Sequence, residues 1–353
     1  MVGWPAGLLG RIGTEFPIVQ APMAGASGVA LCLGAMEGGA LGSLPCAMLS
    51  PVQISEQVAV VRARSDRPLN LNFFCHSMPE SVDDSAWRAL LRPYQEEYGA
   101  APSGPAAMRM PFDEAACAAV ENCRPEAVSF HFGLPEEGLL RRVKASGAFV
   151  IGNATNVEEA RRLEESGVDA VIAQGWEAGG HSGRFLPYDG DPLGLFALLP
   201  RVVDAVGVPV IAAGGIGDAR GIAAAFALGA SAVQLGTVYL HSPESLISDA
   251  HRALLTSDAP TMFTNLPTGG LARGFAGRLV RDLGPVRPEA PPYPFAAIAL
   301  APIRAAAEAK GEYGFGPLWA GQAAALGEAL PAAALTRKLA AEALALALMG
   351  HEA

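Results

Sequence analysis

The chain has little charge, no paired cysteines, no basic cluster and no unbroken apolar run long enough for a bilayer. Each shortage excludes something. Only 17% of its 353 residues are charged and 51% are hydrophobic, so extended disorder is not expected and a sizeable core is. Lys and Arg number 25 against 35 Asp and Glu, for a formal charge of -10 with no basic run. A surface for nucleic acid or an anionic membrane is therefore not expected. The five cysteines (Cys32, Cys46, Cys75, Cys117, Cys123) are odd in number and scattered, without a Cys-x-x-Cys pair. Reduced thiols in a cytoplasmic protein are the expectation, rather than disulfides or a metal site. The chain lacks His-x-x-x-His, His-Glu-x-x-His and Gly-x-Ser-x-Gly, which removes the common metal-enzyme and serine-hydrolase readings. Met1 to Pro5 shows neither a basic nor an apolar region, so no signal peptide is expected. The apolar stretch Ala332 to Met349 is broken by Arg337, Lys338 and Glu342 and reads as a packed helix.

Glycine and proline are abundant, at 41 and 28 residues, and suit a fold with many strand-to-loop turns. Short apolar segments recur at Pro17–Gln20, Gly39–Ser43, Leu69–Phe74, Ala127–His131, Gly147–Gly152, Asp169–Gln174, Val208–Ala213 and Ser231–Gly236. Several are continuous apolar runs, as expected of parallel strands covered on both faces. Helices between them carry their own punctuation. Ser50-Pro51 reads as an N-cap, Asn156 with Glu159 as a capping box closed by Gly167, and Asp218 as a cap answered by Gly229. Eight strand-helix units predict an α/β protein, a (β/α)8 TIM barrel, with an open doubly wound sheet as the alternative. Residues 1–239 form the expected barrel, 240–315 an inserted cap after the eighth strand, and 316–353 helices that complete it. Ser77 to Met110 reads as a long loop after the third strand.

Active sites of such barrels lie at the carboxyl ends of the strands. Those ends carry Ala21-Pro22-Met23-Ala24-Gly25, Asn72, His131, Gln174 to Gly183, Gly214-Gly215-Ile216-Gly217 and Gln234-Leu235-Gly236-Thr237. The last two runs read as a phosphate site, because glycines let backbone amides approach an anion. A phosphorylated cofactor is the expected ligand. His181 sits among glycines on the loop after the sixth strand, where an imidazole can take a proton or donate to an anionic substrate. Glu177 orients that loop, hydrogen-bonds the cofactor or is a plain surface carboxylate. His131 is either a pocket residue or a satisfied core histidine, and His76, His241, His251 and His351 have no comparable setting.

Taken together, Gln20–Gly25, Leu71–Phe73, Val128–Gly133, Gln174–Gly183, Gly214–Gly217 and Gln234–Thr237 resemble the nitronate monooxygenases, formerly 2-nitropropane dioxygenases. The resemblance runs from about Phe16 to Leu240 and returns weakly at Trp319-Ala320-Gly321-Gln322. It implies FMN as cofactor. Ala21, Pro22 and Met23 would lie along the flavin ring, while Asn72, Gln174 and Gly179 would hydrogen-bond it. Gly215, Gln234, Gly236 and Thr237 would hold the ribityl phosphate, with Gly180, Gly214 and Leu235 completing the set from the same runs. His181 matches the active-site histidine, and His131 a second pocket histidine beside Tyr293.

The implied reaction oxidises alkyl nitronates, or nitroalkanes, with O2 to a carbonyl compound and nitrite. The implied partners are a small-molecule substrate and O2, in a monomer or homodimer. Another FMN oxidoreductase on this barrel, such as an NAD(P)H-dependent quinone or enoyl-thioester reductase, is the alternative. A flavin-binding protein without turnover is a third. Two places depart from the family, and at one of them Ser182 follows the histidine where many relatives have Arg. Where relatives place Tyr, Tyr and Lys four residues apart in the cap, this chain has Tyr293, Ala297 and Ala301. The substitutions predict a larger, less cationic pocket, with Arg184 or Arg273 as the cations available in compensation.

Overall fold

A parallel strand closed into a barrel has no exposed face, and all eight expected segments form such strands. The computed structural model describes residue 4, residues 10–100 and residues 109–349. Its strands are β1 (Ile18–Gln20), β2 (Gly42–Pro45), β3 (Leu69–Phe74), β4 (Ala127–His131), β5 (Phe149–Ala154) and β6 (Ala170–Gln174), then β7 (Gly180–His181), β8 (Val210–Ala213), β9 (Ala232–Leu235), β10 (Thr261–Thr264) and β11 (Ala272–Phe275). Eight of them run in the order β1-β9-β8-β6-β5-β4-β3-β2, and every neighbouring pair is parallel. The ring closes where Val19 bridges Leu41, with Gln20 N donating to Leu41 O and Leu41 N to Ile18 O, both at 2.9 Å. The fold is a (β/α)8 TIM barrel.

The second strand starts three residues later than expected. Gly39 adopts φ +101° in the turn leaving helix Val29–Glu37, a left-handed position that L side chains rarely take. Extended pairing resumes only past it.

Side chains alternate in direction along each strand, and the alternation builds two apolar layers. Val19, Leu41, Ala127, Phe149, Ile151, Ala170, Ile172, Ile211 and Ala232 fill the barrel interior. Ile18, Leu44, Leu69, Leu71, Val128, Val150, Val171 and Val233 point outward to pack with the helices. Above the interior plug lies a polar layer. Gln20 Oε1 accepts from Ser43 N at 3.0 Å, and Asn70 Nδ2 donates to Ser43 Oγ and Ser129 Oγ at 3.0 and 2.9 Å. Asn72 Nδ2 reaches the same Ser129 Oγ at 3.0 Å. These bonds tie neighbouring strands together beneath the active face, with Asn70 Oδ1 buried and left without a partner.

Helix signals are mostly as read. Ser50 forms a full capping box with Gln53, and Asp218 accepts from Arg220 N and Gly221 N. The box expected at Asn156 is only half made. Asn156 accepts from Glu159 N, but the Glu159 carboxylate turns to Thr155 N (2.7 Å), Phe185 N (2.7 Å) and Leu186 N (3.0 Å). A fully buried carboxylate needs several donors, and three backbone amides serve better than one.

The stretch read as a long loop after the third strand contains a helix, Ser85–Tyr98. It packs on helix Ala296–Glu308. Trp87, Leu91, Tyr94 and Tyr98 share a second apolar cluster with Leu266, Ala299, Leu300, Ile303 and Phe315, and Trp87 Nε1 donates to Ala296 O at 3.1 Å. The cover over the barrel thus draws on two separate parts of the chain. β10 and β11 form an antiparallel hairpin whose second strand pairs with β7. Helix Ala332–Met349 lies against the helices Val29–Glu37 and Ala219–Ala227. Among the described residues, no helix is long and apolar enough to cross a membrane.

The terminal helix approaches so closely that a Cβ on Gly38 would stand 2.6 Å from Thr336 Cβ. Gly38→Leu should therefore lose about 1–3 kcal/mol through overpacking, seen as a Tm lowered by several degrees. An unchanged Tm would show that this helix is not tightly docked.

Candidate active site

One cavity of about 520 Å3 opens at the carboxyl ends of the barrel strands, within the usual size range of ligand sites. It collects Ala21, Pro22, Met23, Asn72, His131, Gln174, Gly179, Gly180, His181, Gly214, Gly215, Gln234, Gly236 and Thr237 along its wall. Tyr293, expected at the substrate, is not among the lining residues, and neither is Leu235. It is 1% exposed in the layer between strands and helices, and only its carbonyl serves the site, accepting from Ala21 N at 2.8 Å. Among the described residues no group of three His, Cys, Asp or Glu could hold a metal.

The loop after β6 is built around Gln174. Its Nε2 donates to His181 O at 2.9 Å, and its Oε1 accepts from Gly183 N at 2.8 Å and Asn153 Nδ2 at 3.1 Å. His131 Nε2 reaches the same His181 carbonyl at 3.2 Å. Glycine is required at position 183, since a Cβ there would lie 2.1 Å from Asn153 Nδ2 and 2.7 Å from His131 Cε1. On its other side the loop pairs with β11 through His181↔Ala272 and Gly180↔Arg273. Glu177 faces away from the cavity, with both carboxylate oxygens 2.8 Å from Leu195 N. It starts the helix Leu195–Val203 and braces the loop from behind.

With its backbone clamped, His181 presents its ring to the cavity. Nε2 is hydrogen-bonded to Thr268 Oγ1 at 2.8 Å. Tyr293, Trp319, Phe132 and Phe74 surround the imidazole at centroid distances of 5.1, 5.6, 5.8 and 6.3 Å. Phe132 holds φ +65°, a strained backbone for a bulky residue that brings its ring between the histidines. Burial pulls His181 down to about 3, helped by the nearby His131 and Arg109. It likewise pulls His131 to about 4. Both imidazoles are therefore neutral at physiological pH.

Several residues meet here that local pattern did not disclose. Thr268, on the hairpin loop, partners the central histidine. His251 lines the cavity and bonds Trp319 O at 3.1 Å. His76 packs on Tyr293 at 4.7 Å and holds Arg109 O at 3.1 Å. His351 lies outside the described residues. Trp319 to Gln322 closes the wall, with Gly321 N donating to Thr237 Oγ1 at 2.9 Å and Gln322 N to Glu177 O at 3.0 Å. The weak resemblance at that segment was the available signal.

The expected compensating cations are elsewhere. Arg273 is 4% exposed, donates to Trp176 O at 3.0 Å and covers the Phe263 ring at 4.3 Å. Arg184 lies over Tyr188. Ala297 and Ala301 do not line the cavity, whereas Arg304, Glu308 and Arg109 do. Arg304 Nε is paired with Glu308 at 2.7 Å. The pocket is thus not stripped of cations, as the alanines suggested.

A closed (β/α)8 barrel with a glycine-walled cavity and a half-buried, neutral histidine pair has the makings of an enzyme site. The nitronate monooxygenase family model matches residues 7–342. Nitronate monooxygenases from Paraburkholderia phytofirmans and Pseudomonas aeruginosa are 43% and 40% identical, each over 94% of this chain and over 93% and 97% of their own lengths. Nitroalkane oxidase from Streptomyces ansochromogenes superposes with a TM-score of 0.89 at 35% identity, covering 98% of this chain and 99% of its own. The chain belongs to the nitronate monooxygenase family and is an oxidoreductase.

The buried histidines also set a pH dependence. His131 and His251 fall to about 4 in the fold from an ordinary 6.5. The unfolded chain binds their protons below about pH 6.5 and the folded one does not until about pH 4. Stability is then fullest above pH 6.5 and is lost as pH falls toward 4. Urea midpoints should decline over that window, less steeply in His251→Gln. Equal slopes would mean that His251 is not buried neutral.

Proposed function

We propose that this enzyme uses FMN to oxidise alkyl nitronates with O2, giving a carbonyl compound and nitrite. The placement of His181 carries the reading, because its imidazole faces the same cavity as the glycine-rich strand ends. The cavity fits FMN on its own features. Gly214 and Gly215 hold φ +99° and +70°, so the backbone turns where only glycine is comfortable and amides can approach a phosphate. A Cβ on Gly236 would meet nothing closer than Ala21 Cβ at 3.5 Å, leaving room for a ligand against the chain. One such cradle suits one terminal phosphate, and the polar floor of Asn72 and Gln174 suits a heteroaromatic ring.

When bound, FMN supplies the electron chemistry, drawing electrons from the substrate and passing them to O2. The side chains bind and orient. Ala21, Pro22 and Met23 offer an apolar wall to a flat ring. His181, neutral and held by Thr268, can donate a hydrogen bond to an oxygen of the nitro group. It is a weak base at neutral pH, which favours a nitronate that has already lost its α-proton over a neutral nitroalkane. His131 braces the loop. The segment 240–315 covers the substrate as a cap between barrel residues 1–239 and the returning residues 316–353. Five free cysteines suit a reducing cytoplasm, and the enzyme works as a monomer or homodimer.

Purified protein should release FMN, identified by mass, and its flavin should bleach anaerobically with ethylnitronate but not with NADH. Bleaching by NADH alone would favour the NAD(P)H-dependent reductase. In His181→Asn, FMN content should hold while nitronate and nitroalkane turnover fall by similar factors of about 10²-fold. A loss confined to nitroalkanes would make His181 a general base.

A further inference from the structure

A nitronate is an anion, and burying it in this cavity costs free energy unless a charge or a hydrogen bond answers it. The histidines cannot answer with charge, since burial holds His181 and His131 neutral. Arg304 at the cavity wall is already matched by Glu308. Arg109 is the other cation on that wall. It lies where the chain returns to the barrel after helix Ser85–Tyr98, and that return is pinned on both sides. His76 Nε2 holds the Arg109 carbonyl at 3.1 Å, and Phe112 N donates to Phe74 O at 2.8 Å. Phe112 then packs on Phe73 and Phe130 at 4.9 and 5.2 Å.

The Arg109 charge is felt by the groups that ring His181. It disfavours protonation of His181 and His76, and it opposes the upward push of burial on Tyr293. Tyr293 itself is 8% exposed and does not line the cavity, and its buried hydroxyl faces the Arg109 guanidinium. A permanent cation on the cavity wall thus stands among the groups that ring the imidazole.

We propose that Arg109 is the substrate-anion anchor of this enzyme, binding the oxygens of the nitronate head beside His181. A planar guanidinium matches a planar two-oxygen anion. The assignment rests on the functional reading above, but it concerns anion binding and can be tested without turnover.

Butyrate carries a planar two-oxygen anionic head, and butyramide is its neutral counterpart. Titration of the flavin-loaded enzyme with each, followed through the flavin absorbance at pH 7.5, reads the site directly. Wild type should bind butyrate more tightly than butyramide. Arg109→Met should weaken butyrate by about 10-fold or more, the scale of a lost charged hydrogen bond, and leave butyramide within about 2-fold. Arg109→Lys should retain most of the preference, and Arg109→Gln should lose it if Arg109→Met does not hold flavin. The proposal is overturned if the charge-neutral variants bind butyrate as wild type does, if they weaken both ligands equally, or if wild type shows no preference for the anion. Arg109-dependent butyrate binding without bleaching by ethylnitronate would instead sink the nitronate reaction and leave the anion anchor standing.

Discussion

The Gln174 side chain holds the active face together. Its amide closes a ten-residue loop on itself by donating to the His181 carbonyl and accepting from Gly183 N and Asn153 Nδ2. The His131 ring adds a second bond to the same carbonyl, and β11 pairs along the far edge of the loop. With its backbone tied from three directions, His181 has little choice of position. The glycines allow the close approach. The resemblance placed Gln174 against the flavin, and it does line the cavity, but most of its hydrogen-bonding capacity maintains the loop.

That architecture has an electrostatic consequence. A histidine enclosed by Tyr293, Trp319, Phe132 and Phe74 loses its solvation and stays neutral, so it contributes direction rather than charge. An anionic substrate then needs a cation whose charge survives burial, and a guanidinium is the side chain that meets this condition. Neutral imidazole and permanent cation have separate tasks here. In the proposed scheme one orients the reacting group, and the other compensates the charge brought into the cavity.

Much of this was legible in the sequence because it is local. Each barrel strand is a short apolar run, and the functional residues cluster immediately after those runs, so strand ends could be read in order. What was not legible depends on distant parts of the chain meeting. Glu159 looks like half of a capping box until Phe185 and Leu186 deliver their amides to it. Thr268 sits in an unremarkable Thr-Gly-Gly turn, 87 residues from the histidine it partners. Arg109 follows a proline- and tyrosine-rich stretch with no strand-like signal, whereas Arg184 and Arg273 stand beside recognisable motifs and drew the expectation. Proximity in sequence favoured two arginines that do not line the cavity. The helix Ser85–Tyr98 was missed for a related reason: its apolar face is interrupted by Pro93 and becomes coherent only against helix Ala296–Glu308.

The most direct test is the charge on His181 itself. In protein labelled with 15N-histidine, the His181 resonances, assigned by their loss in His181→Gln, should remain those of a neutral imidazole from pH 8 down to pH 5. Titration of His181 near the ordinary 6.5 would contradict this. It would make His181 an available cation and a competent base, and the division of labour between imidazole and guanidinium would fall.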